Sequence, residues 1–462
     1  MNSNDQDAVA AAASDHAPQI THDESTRHIS LGEATRVWAR IGLMSFGGPA
    51  GQIALMHRIL VDEKRWVDET RFLHALNFCM LLPGPEAQQL ATYVGWLLHR
   101  IRGGLIAGSL FILPGFAVIM GLSFLYVSAG TVPLIQGLFV GLKAAVVVIV
   151  LQAVIRIGRR SLGSAAPAAL AVLAFLAMFV WKLPFPLVIL FAAGTGALIS
   201  RVSTHGESGN HGATDATFAS TSGPAAGTAY VVRCVAVFGV IWLAPTVLLL
   251  ATVGPDDVFS NIAIFFSKMA VVTFGGAYAV LAYVSQEAVA TYNWLSPGEM
   301  IDGLAMAETT PGPLIMVTQF VGFIAAYRDP GTLSPALAAI LAGTLTTWVT
   351  FVPCFLWIFA GAPYIERLRR NRMLSAALAG VTAAVVGVIV NLAAWFSIHA
   401  LFASVSLRQI AGASVELPVL TSLRIPSLLI TLVAAVLVFR LRASMFSTLA
   451  VTGSLGMLSF LL

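Results

Sequence analysis

Long apolar stretches, separated by short polar ones, run through most of the chain. Nine of them have the length of a membrane-spanning helix, which needs about 20 mostly apolar residues. These nine are 34–60, 70–98, 104–127, 134–156, 231–253, 261–290, 299–326, 336–360 and 375–402. Four shorter or interrupted stretches are 166–182, 185–200, 424–441 and 444–461. The pattern predicts an all-α polytopic membrane protein with about thirteen segments.

Two short motifs recur inside these stretches at a constant offset of 228 residues. The sequence Phe46-Gly47-Gly48 returns as Phe274-Gly275-Gly276, and Pro83-Gly84-Pro85 returns as Pro311-Gly312-Pro313. Identical residues between the motifs keep the same offset, namely Ala54 with Ala282, Val61 with Val289, Trp66 with Trp294, and Leu76 with Leu304. Chance does not preserve register in this way, so we interpret the chain as two homologous repeats.

The composition and the repeat together predict five regions. Residues 1–30 are polar and acidic without an apolar core, which is typical of a disordered cytoplasmic tail and not of a signal peptide. Residues 201–229 are rich in Ser, Thr, Gly and Ala, as in flexible linkers. The predicted order is tail 1–30, first repeat 31–200, linker 201–229, an extra connecting membrane helix 230–256, and second repeat 257–462.

The overall composition agrees with a membrane protein. Hydrophobic residues make up 58% of the 462 positions and charged residues only 10%, whereas soluble domains are about one quarter charged. The mean hydropathy is +0.85. The net charge of +4 comes from arginines scattered over loops, so no nucleic-acid partner is expected. The cysteines, Cys79, Cys234 and Cys354, lie too far apart for a metal motif or a disulfide framework.

Arginine clusters predict the orientation, because Lys and Arg are enriched in cytoplasmic loops. The clusters are Arg100 and Arg102; Arg156, Arg159 and Arg160; Arg201; Arg367, Arg369, Arg370 and Arg372; and Arg440 and Arg442. With a cytoplasmic N-terminus, all of them fall on the cytoplasmic side of a thirteen-segment count. Seven segments separate the two Phe-Gly-Gly motifs, so we expect the repeats to be inverted. The basic residues of loop 58–71 would lie outside the cytoplasm in this count, against the charge rule. They stay on the cytoplasmic side if 34–60 and 70–98 are re-entrant, which would leave about eleven crossings.

Glycine and proline break each repeat twice. Breaks inside a membrane persist only where protein or a polar cavity covers them, and paired breaks in two halves point to a transporter binding site. A proline just after glycine is typical of a helix start, whose free N–H groups and dipole attract an anion. The alternative is that these residues only allow close packing or kinks. The candidate substrate-binding residues are Gly47, Gly48, Pro49, Gln52, Asn77, Gly84, Pro85, Gln88, Lys143, Gly275, Gly276, Thr309, Thr310, Gly312 and Pro313.

Three charged residues lie in the middle of predicted spanning segments, where charges are expensive and mark functional sites by default. Glu86 and Glu308 flank the two Pro-Gly-Pro motifs, and apolar surroundings favour a protonated carboxyl, so either could couple transport to protons. Lys143 could meet the anion as a point charge. The alternatives are structural or cytosol-facing roles for the two acids, and a salt bridge between Lys143 and Glu86. The second repeat replaces Pro49, Glu86 and Lys143 by Ala277, Leu314 and Thr382, so the site is predicted to be asymmetric.

These motifs resemble the chromate ion transporter family in its long, two-domain form. The resemblance covers residues 34–400 and is carried by 46–49, 61–66, 81–90, 111–115, 274–276 and 309–313. It implies a bacterial inner-membrane protein that exports chromate, a sulfate-like dianion, with the proton motive force and so confers chromate resistance. Family members often carry a histidine where this chain has Ala50-Gly51-Gln52, a departure that bears on the exact anion and not on the fold.

Other functions stay open on sequence grounds. They are transport of another oxyanion, such as sulfate, and a passive anion channel. The sequence contains no nucleophile paired with a base, no metal cluster and no nucleotide-binding loop, so we expect no enzyme, no cofactor, no metal and no ATP-driven transport. The expected partners are a small oxyanion, protons and the lipid bilayer, and the chain could also form a homodimer.

Overall fold

The computed structural model describes residues 29–130, 132–202, 227–274, 276–364, 371–410 and 413–461. These ranges are helical almost throughout, which confirms the predicted all-α class; the inverted orientation of the repeats stays a prediction. The predicted disordered tail up to residue 28, residues 203–226 of the predicted linker, and Gly275 lie outside the described residues. So do Arg367, Arg369 and Arg370 of one predicted cytoplasmic cluster.

The first repeat begins with short helices and continues with longer ones. The helices are α1 (Leu31–Met44), α2 (Gly48–His57) with a π-helical extension (Arg58–Glu63), α3 (Glu69–Cys79), α4 (Glu86–Ala129), α5 (Pro133–Ser161), α6 (Ala165–Phe179) and α7 (Phe185–Val202). Non-helical backbone angles at His99 and Arg100 kink α4 between the predicted segments 70–98 and 104–127. Helix α8 (Thr228–Thr252) lies between the repeats in sequence and packs on the second one.

The second repeat follows the same order. Its elements are α9 (Val258–Val272), α10 (Ala277–Gln286) with a π-helical extension (Glu287–Thr291), α11 (Pro297–Thr309), a 3-10 turn (Leu314–Met316), α12 (Val317–Arg328), α13 (Pro335–Gly361), a 3-10 turn (Ala362–Tyr364), α14 (Arg372–Leu401), β1 (Val405–Ile410), β2 (Ala413–Pro418), a 3-10 turn (Leu420–Ser422), α15 (Ile425–Ala435) with a π-helical extension (Val436–Arg440), and α16 (Met445–Leu461). The antiparallel hairpin β1–β2 was not predicted. The predicted segments 34–60, 70–98, 261–290 and 299–326 are each broken near their middle, at the Gly and Pro motifs.

Local backbone geometry repeats together with the motifs. Asp68 accepts a hydrogen bond from the N–H of Arg71 at the start of α3. At the equivalent position of the second repeat, Ser296 and Glu299 form a capping box at the start of α11. Such side chains satisfy N–H groups that the first turn of a helix leaves free. The duplication read from the sequence is therefore present in the local structure.

The last helices of each repeat pack against a long helix of the other repeat. Helix α5 packs against α15 and α16 of the second repeat, whereas α14 packs against α6 and α7 of the first. Glycines allow this approach: a Cβ on Gly141 of α5 would lie 1.9 Å from the carbonyl oxygen of Thr452, and one on Gly380 of α14 would lie 2.4 Å from that of Ala192. The core therefore forms between the repeats, and each repeat depends on the other to bury its helices.

Many of these helices suit a lipid bilayer. Among the described residues, five helices are long and apolar enough to cross a membrane, namely α4, α5, α8, α13 and α14. Six further apolar helices are shorter. Half of the candidate span in α14 is buried against the protein, but only 17% of that in α8, so α8 lies at the periphery. The chain is a multi-pass membrane protein.

Candidate functional site

The paired breaks of the two repeats contact each other. Gly84 donates its backbone N–H to the carbonyl of Thr273 at 2.9 Å, just before the second Phe-Gly-Gly motif. Gly312 donates its N–H to the carbonyl of Ser45 at 2.8 Å, just before the first. The two donors are 228 residues apart in sequence, as are the two acceptors. Each repeat therefore supplies an equivalent hydrogen bond to the broken helix of the other.

Glycine at the breaks is explained by the backbone conformation. The φ angle is +88° at Gly47 and +67° at Gly48, and it is +93° at both Gly276 and Gly312. Residues with a Cβ rarely adopt such angles. Gly47 directly precedes α2, and Pro49 is the second residue of that helix. A new helix therefore starts at the first break. Its unpaired N–H groups and the positive end of its dipole are available there.

Buried amide side chains tie the breaks together. The side-chain amide of Gln52 donates to the carbonyl of Gly312 at 2.6 Å, which links α2 to the second Pro-Gly-Pro motif. Gln88 is fully buried, and its amide donates to the Thr92 hydroxyl at 3.0 Å. The carbonyl oxygens of both glutamines lack a hydrogen-bond partner among the described residues. Gln52 thus supports the second break from the first repeat, whereas Gln88 bonds within its own helix.

Other predicted residues contribute less to a shared site. The hydroxyls of Thr309 and Thr310 donate to carbonyls of their own helix, at 2.8 Å and 3.2 Å. Asn77 is exposed on α3. Pro85 and Pro313 directly precede α4 and the 3-10 turn before α12, where they start the new helical segments.

A small cavity of about 100 Å³ opens beside the start of α2. Four polar groups reach it: the backbone of Gly47, the hydroxyl-bearing Tyr278 of α10, and Gln152 and Arg156 of α5. Its apolar lining residues are Ile149, Val438, Ala443 and Met445. Both Gln152 and Arg156 are exposed, so the cavity is open on the side of α5. The cavity thus combines a helix N-terminus, a guanidinium group and neutral donors, which together can bind an anion.

Glu308 lies directly behind this cavity. The hydroxyl of Tyr278 donates to Glu308 Oε1 at 2.9 Å, and the glutamate is only 2% exposed. Its second oxygen, Oε2, has no hydrogen-bond partner among the described residues. Arg156 makes no salt bridge with an acid in the described part of the chain, and it lines the same cavity as Tyr278. The carboxylate of Glu308 is therefore separated from the cavity only by the side chain of Tyr278.

Glu86 lies at the other break. A Cβ on Gly276, the residue that precedes α10, would be 3.5 Å from Glu86 Oε1. Within the described residues, Glu86 has no salt bridge and no side-chain hydrogen bond. Its carboxylate therefore faces the N-terminus of α10, where the helix dipole favours a negative charge.

Lys143 is held elsewhere. Its Nζ lies 3.1 Å from Asp302 Oδ2, so its salt-bridge partner in the structure is Asp302 and not Glu86. Lys143 does not line the cavity at α2. Its predicted role in anion binding stays a prediction, and Arg156 is the cation found at the helix start.

Four residues near these sites were missed by sequence reasoning: Gln152, Arg156, Tyr278 and Asp302. Arg156 belongs to a cluster that was used only as an orientation signal. Tyr278 follows the second Phe-Gly-Gly-Ala and replaces Ala50 of the first repeat, a difference that could have marked it. Asp302 is an acid inside a predicted spanning segment, the same signal that identified Glu308.

Comparison with known proteins identifies the family. The model of the family described as "Chromate transporter" matches residues 32–197 and 260–457, which are most of both repeats. The chain belongs to the chromate transporter family. Among its relatives, a chromate transport protein of Cupriavidus metallidurans is 30% identical over 84% of this chain and 86% of its own length. A chromate transport protein of Pseudomonas aeruginosa is 33% identical over 76% of this chain and 77% of its own length. No solved structure matches the chain.

The two matched regions agree with the interpretation of the chain as two repeats joined by an unmatched middle segment. The family consists of transporters, in agreement with the expectation that the chain is not an enzyme.

Proposed function

We propose that this protein is a secondary active transporter that exports chromate from the cytoplasm across the bacterial inner membrane, driven by the proton motive force, and so confers chromate resistance. Relatives named as chromate transport proteins support the substrate. The observation that carries the proposal is the cavity where Arg156 meets the start of α2.

The chemistry of the cavity favours a small oxyanion. Free backbone N–H groups at a helix start bind oxyanions, and arginine presents a planar set of donors that matches their oxygens. The volume of about 100 Å³ is several times that of one water molecule but well below the roughly 300–1,000 Å³ of pockets for drug-sized ligands. A tetrahedral dianion such as chromate suits this combination of size and charge.

The meeting of the two breaks supports transport by alternating access. In transporters built from inverted repeats, the substrate site lies at the repeat interface, and one repeat rocks against the other. Here the reciprocal hydrogen bonds of Gly84 and Gly312 join the repeats next to the cavity. The inverted orientation predicted from the arginine clusters, with a cytoplasmic N-terminus, would make the α2 cavity face the cytoplasm through Arg156.

Proton coupling requires a carboxylate that alternates between its charged and neutral forms, and the two predicted candidates lie at the breaks. Glu308 contacts the cavity through Tyr278, and Glu86 faces the start of α10. Export is also the electrically favourable direction, because moving a dianion outward through an inside-negative membrane releases roughly 4.6 kcal/mol per 100 mV, at about 2.3 kcal/mol per charge. Protons entering the cell would add to this driving force.

Expression in a chromate-sensitive bacterial host tests the proposal. We expect cells with the transporter to accumulate less chromate, and everted vesicles to take it up against a gradient in a manner that a proton ionophore abolishes. Unchanged accumulation in cells and vesicles would refute chromate export. Ionophore-insensitive flux that only equalises concentrations would indicate a passive channel. Complete inhibition of chromate uptake by equimolar sulfate would indicate that sulfate is the preferred anion.

A further inference from the structure

A second cluster of polar side chains lies away from the cavity. Lys143 of α5 and Asp302 of α11 form an ion pair of 3.1 Å, and the Tyr126 hydroxyl of α4 donates to the same carboxylate oxygen at 3.0 Å. Lys143 precedes Arg156 by thirteen residues on α5, which corresponds to about 20 Å along the helix axis. The cluster is therefore distinct from the candidate anion site.

Asp302 is deeply buried and incompletely bonded. The residue is 4% exposed, and its second carboxylate oxygen, Oδ1, is buried without a hydrogen-bond partner among the described residues. A buried acceptor that lacks a donor is costly, and a buried ion pair does not by itself stabilise a protein. Ionisable residues at membrane depth mark proton or ion pathways by default. The open oxygen therefore points to a ligand that binds the carboxylate during function.

Among the described residues, Lys143 is the cation that pairs with Asp302, and the other charged groups nearby do not compete for it. Glu299, on the same helix, is paired with Arg328 of α12. Helix α14 also packs on α11, but it has no Asp, Glu, Lys, Arg or His between residues 373 and 398. In the described structure, Lys143 is thus the cation that contacts Asp302, and Tyr126 is the neutral donor.

We propose that Asp302 is a further proton-binding site of the transport cycle, besides the carboxylates at the breaks, and that its protonation breaks the ion pair with Lys143. The proposal rests on the proposed function, because it assigns a proton step of the same transporter. The proton adds to a carboxylate oxygen of Asp302, while Lys143 keeps its own proton and its charge. The neutral acid then no longer holds the ammonium group.

The position of the pair explains why its breakage matters for transport. Helix α5 belongs to the first repeat and α11 to the second, so the ion pair fastens one repeat to the other. Because α5 also carries Arg156, release of Lys143 removes one of the contacts that fix the helix which presents the guanidinium to the cavity. Proton binding at one level of α5 is thereby linked to anion access at the other.

The test compares two transport measurements on the full-length protein in proteoliposomes. One is chromate exchange with equal chromate and equal pH on both sides, and the other is uphill chromate accumulation driven by an imposed pH gradient. Asp302→Asn should retain measurable exchange but lose gradient-driven accumulation at least about tenfold, because an amide cannot alternate between charge states. Glu416→Gln, which removes an ion pair of 2.7 Å with Lys182, is the matched control and should keep gradient-driven accumulation at the wild-type level.

A milder variant keeps the test valid if Asp302→Asn does not fold. Tyr126→Phe leaves both charges in place and removes one donor to the carboxylate. Such a donor favours the ionised carboxylate, so its loss should move the pH profile of gradient-driven transport upward by about one unit. An unshifted profile in a folded Tyr126→Phe protein, or wild-type coupling in Asp302→Asn, would refute the role of Asp302. Wild-type proteoliposomes that exchange no chromate would instead refute the proposed function itself.

Discussion

The two broken helices that follow the Phe-Gly-Gly motifs have equivalent positions in their repeats but different surroundings. Helix α2 buries only Gly48, Gln52 and Met56, a single stripe along one face. Helix α10 is buried at every position from Ala277 to Ser285. The cavity opens beside the start of α2, whereas the start of α10 is enclosed by protein.

The charged side chains near the two helix starts also differ: an acid lies at the buried start and a cation at the open one. The carboxylate of Glu86 faces the start of α10. Its counterpart in the second repeat is Leu314, which carries no charge. Arg156 lies beside α2 instead. We infer that the duplication produced two helix starts able to hold an anion, of which one is filled by an internal carboxylate and the other is left for the substrate.

The largest expected effect comes from removing the cation at the open helix start. Arg156→Gln should lower kcat/KM for chromate about 100-fold, which corresponds to the loss of a charge-assisted contact of about 3 kcal/mol. Initial rates of chromate uptake into everted vesicles measure this change.

Arg159→Gln provides the control for that experiment. Arg159 is exposed on the same helix and belongs to the same arginine cluster, but it does not line the cavity. Its substitution should leave the rate close to that of the wild type. Equal activity of both variants would remove Arg156 from the site and with it the main difference between the two helix starts.

The sequence alone predicted the breaks because their cause is local. Gly47, Gly48 and Gly276 adopt left-handed backbone angles that few other residues tolerate, so the need for glycine is visible in the sequence. The constant offset also predicted that both repeats would have the same order of elements.

The surroundings of the breaks could not be predicted in the same way, because they depend on packing between distant segments. Arg156 reaches the cavity only because α5 packs against elements of the second repeat, and its sequence context is that of an ordinary cytoplasmic loop. Lys143 was expected near the anion or near Glu86, but the register between α5 and α11 places it at Asp302. The β1–β2 hairpin was missed because its short strands follow directly after an apolar helix.

A smaller effect should follow when the internal carboxylate is neutralised. Glu86→Gln keeps the shape of the side chain and leaves the start of α10 without a negative charge. We expect the variant to bind a second anion, more weakly than the first, whereas the wild type binds one. Equilibrium binding of radiolabelled sulfate or chromate to the purified protein measures the number of sites.

The matched control for this variant is Glu416→Gln, because Glu416 lies on the β2 strand and pairs with Lys182, away from both helix starts. It should bind a single anion like the wild type. If Glu86→Gln also binds a single anion, the start of α10 is not an anion site. The inference that the Glu86 carboxylate occupies such a site is then wrong.

The smallest expected effect is a difference in stability between two alanine variants, one at each of the glycines that precede or begin the two helices. Gly48 has a φ of +67°, where alanine costs about 1–2 kcal/mol, and the nearest atom to a new Cβ would be the Tyr278 hydroxyl at 3.9 Å. Gly276 has φ +93° and ψ 171°, a region that is nearly exclusive to glycine and costs other residues up to about 3 kcal/mol. Its Cβ would also approach Glu86. Thermal unfolding in detergent should therefore rank Gly276→Ala as less stable than Gly48→Ala. The reverse order would contradict this prediction. It would mean that the buried start of α10 tolerates a side chain better than the more open start of α2.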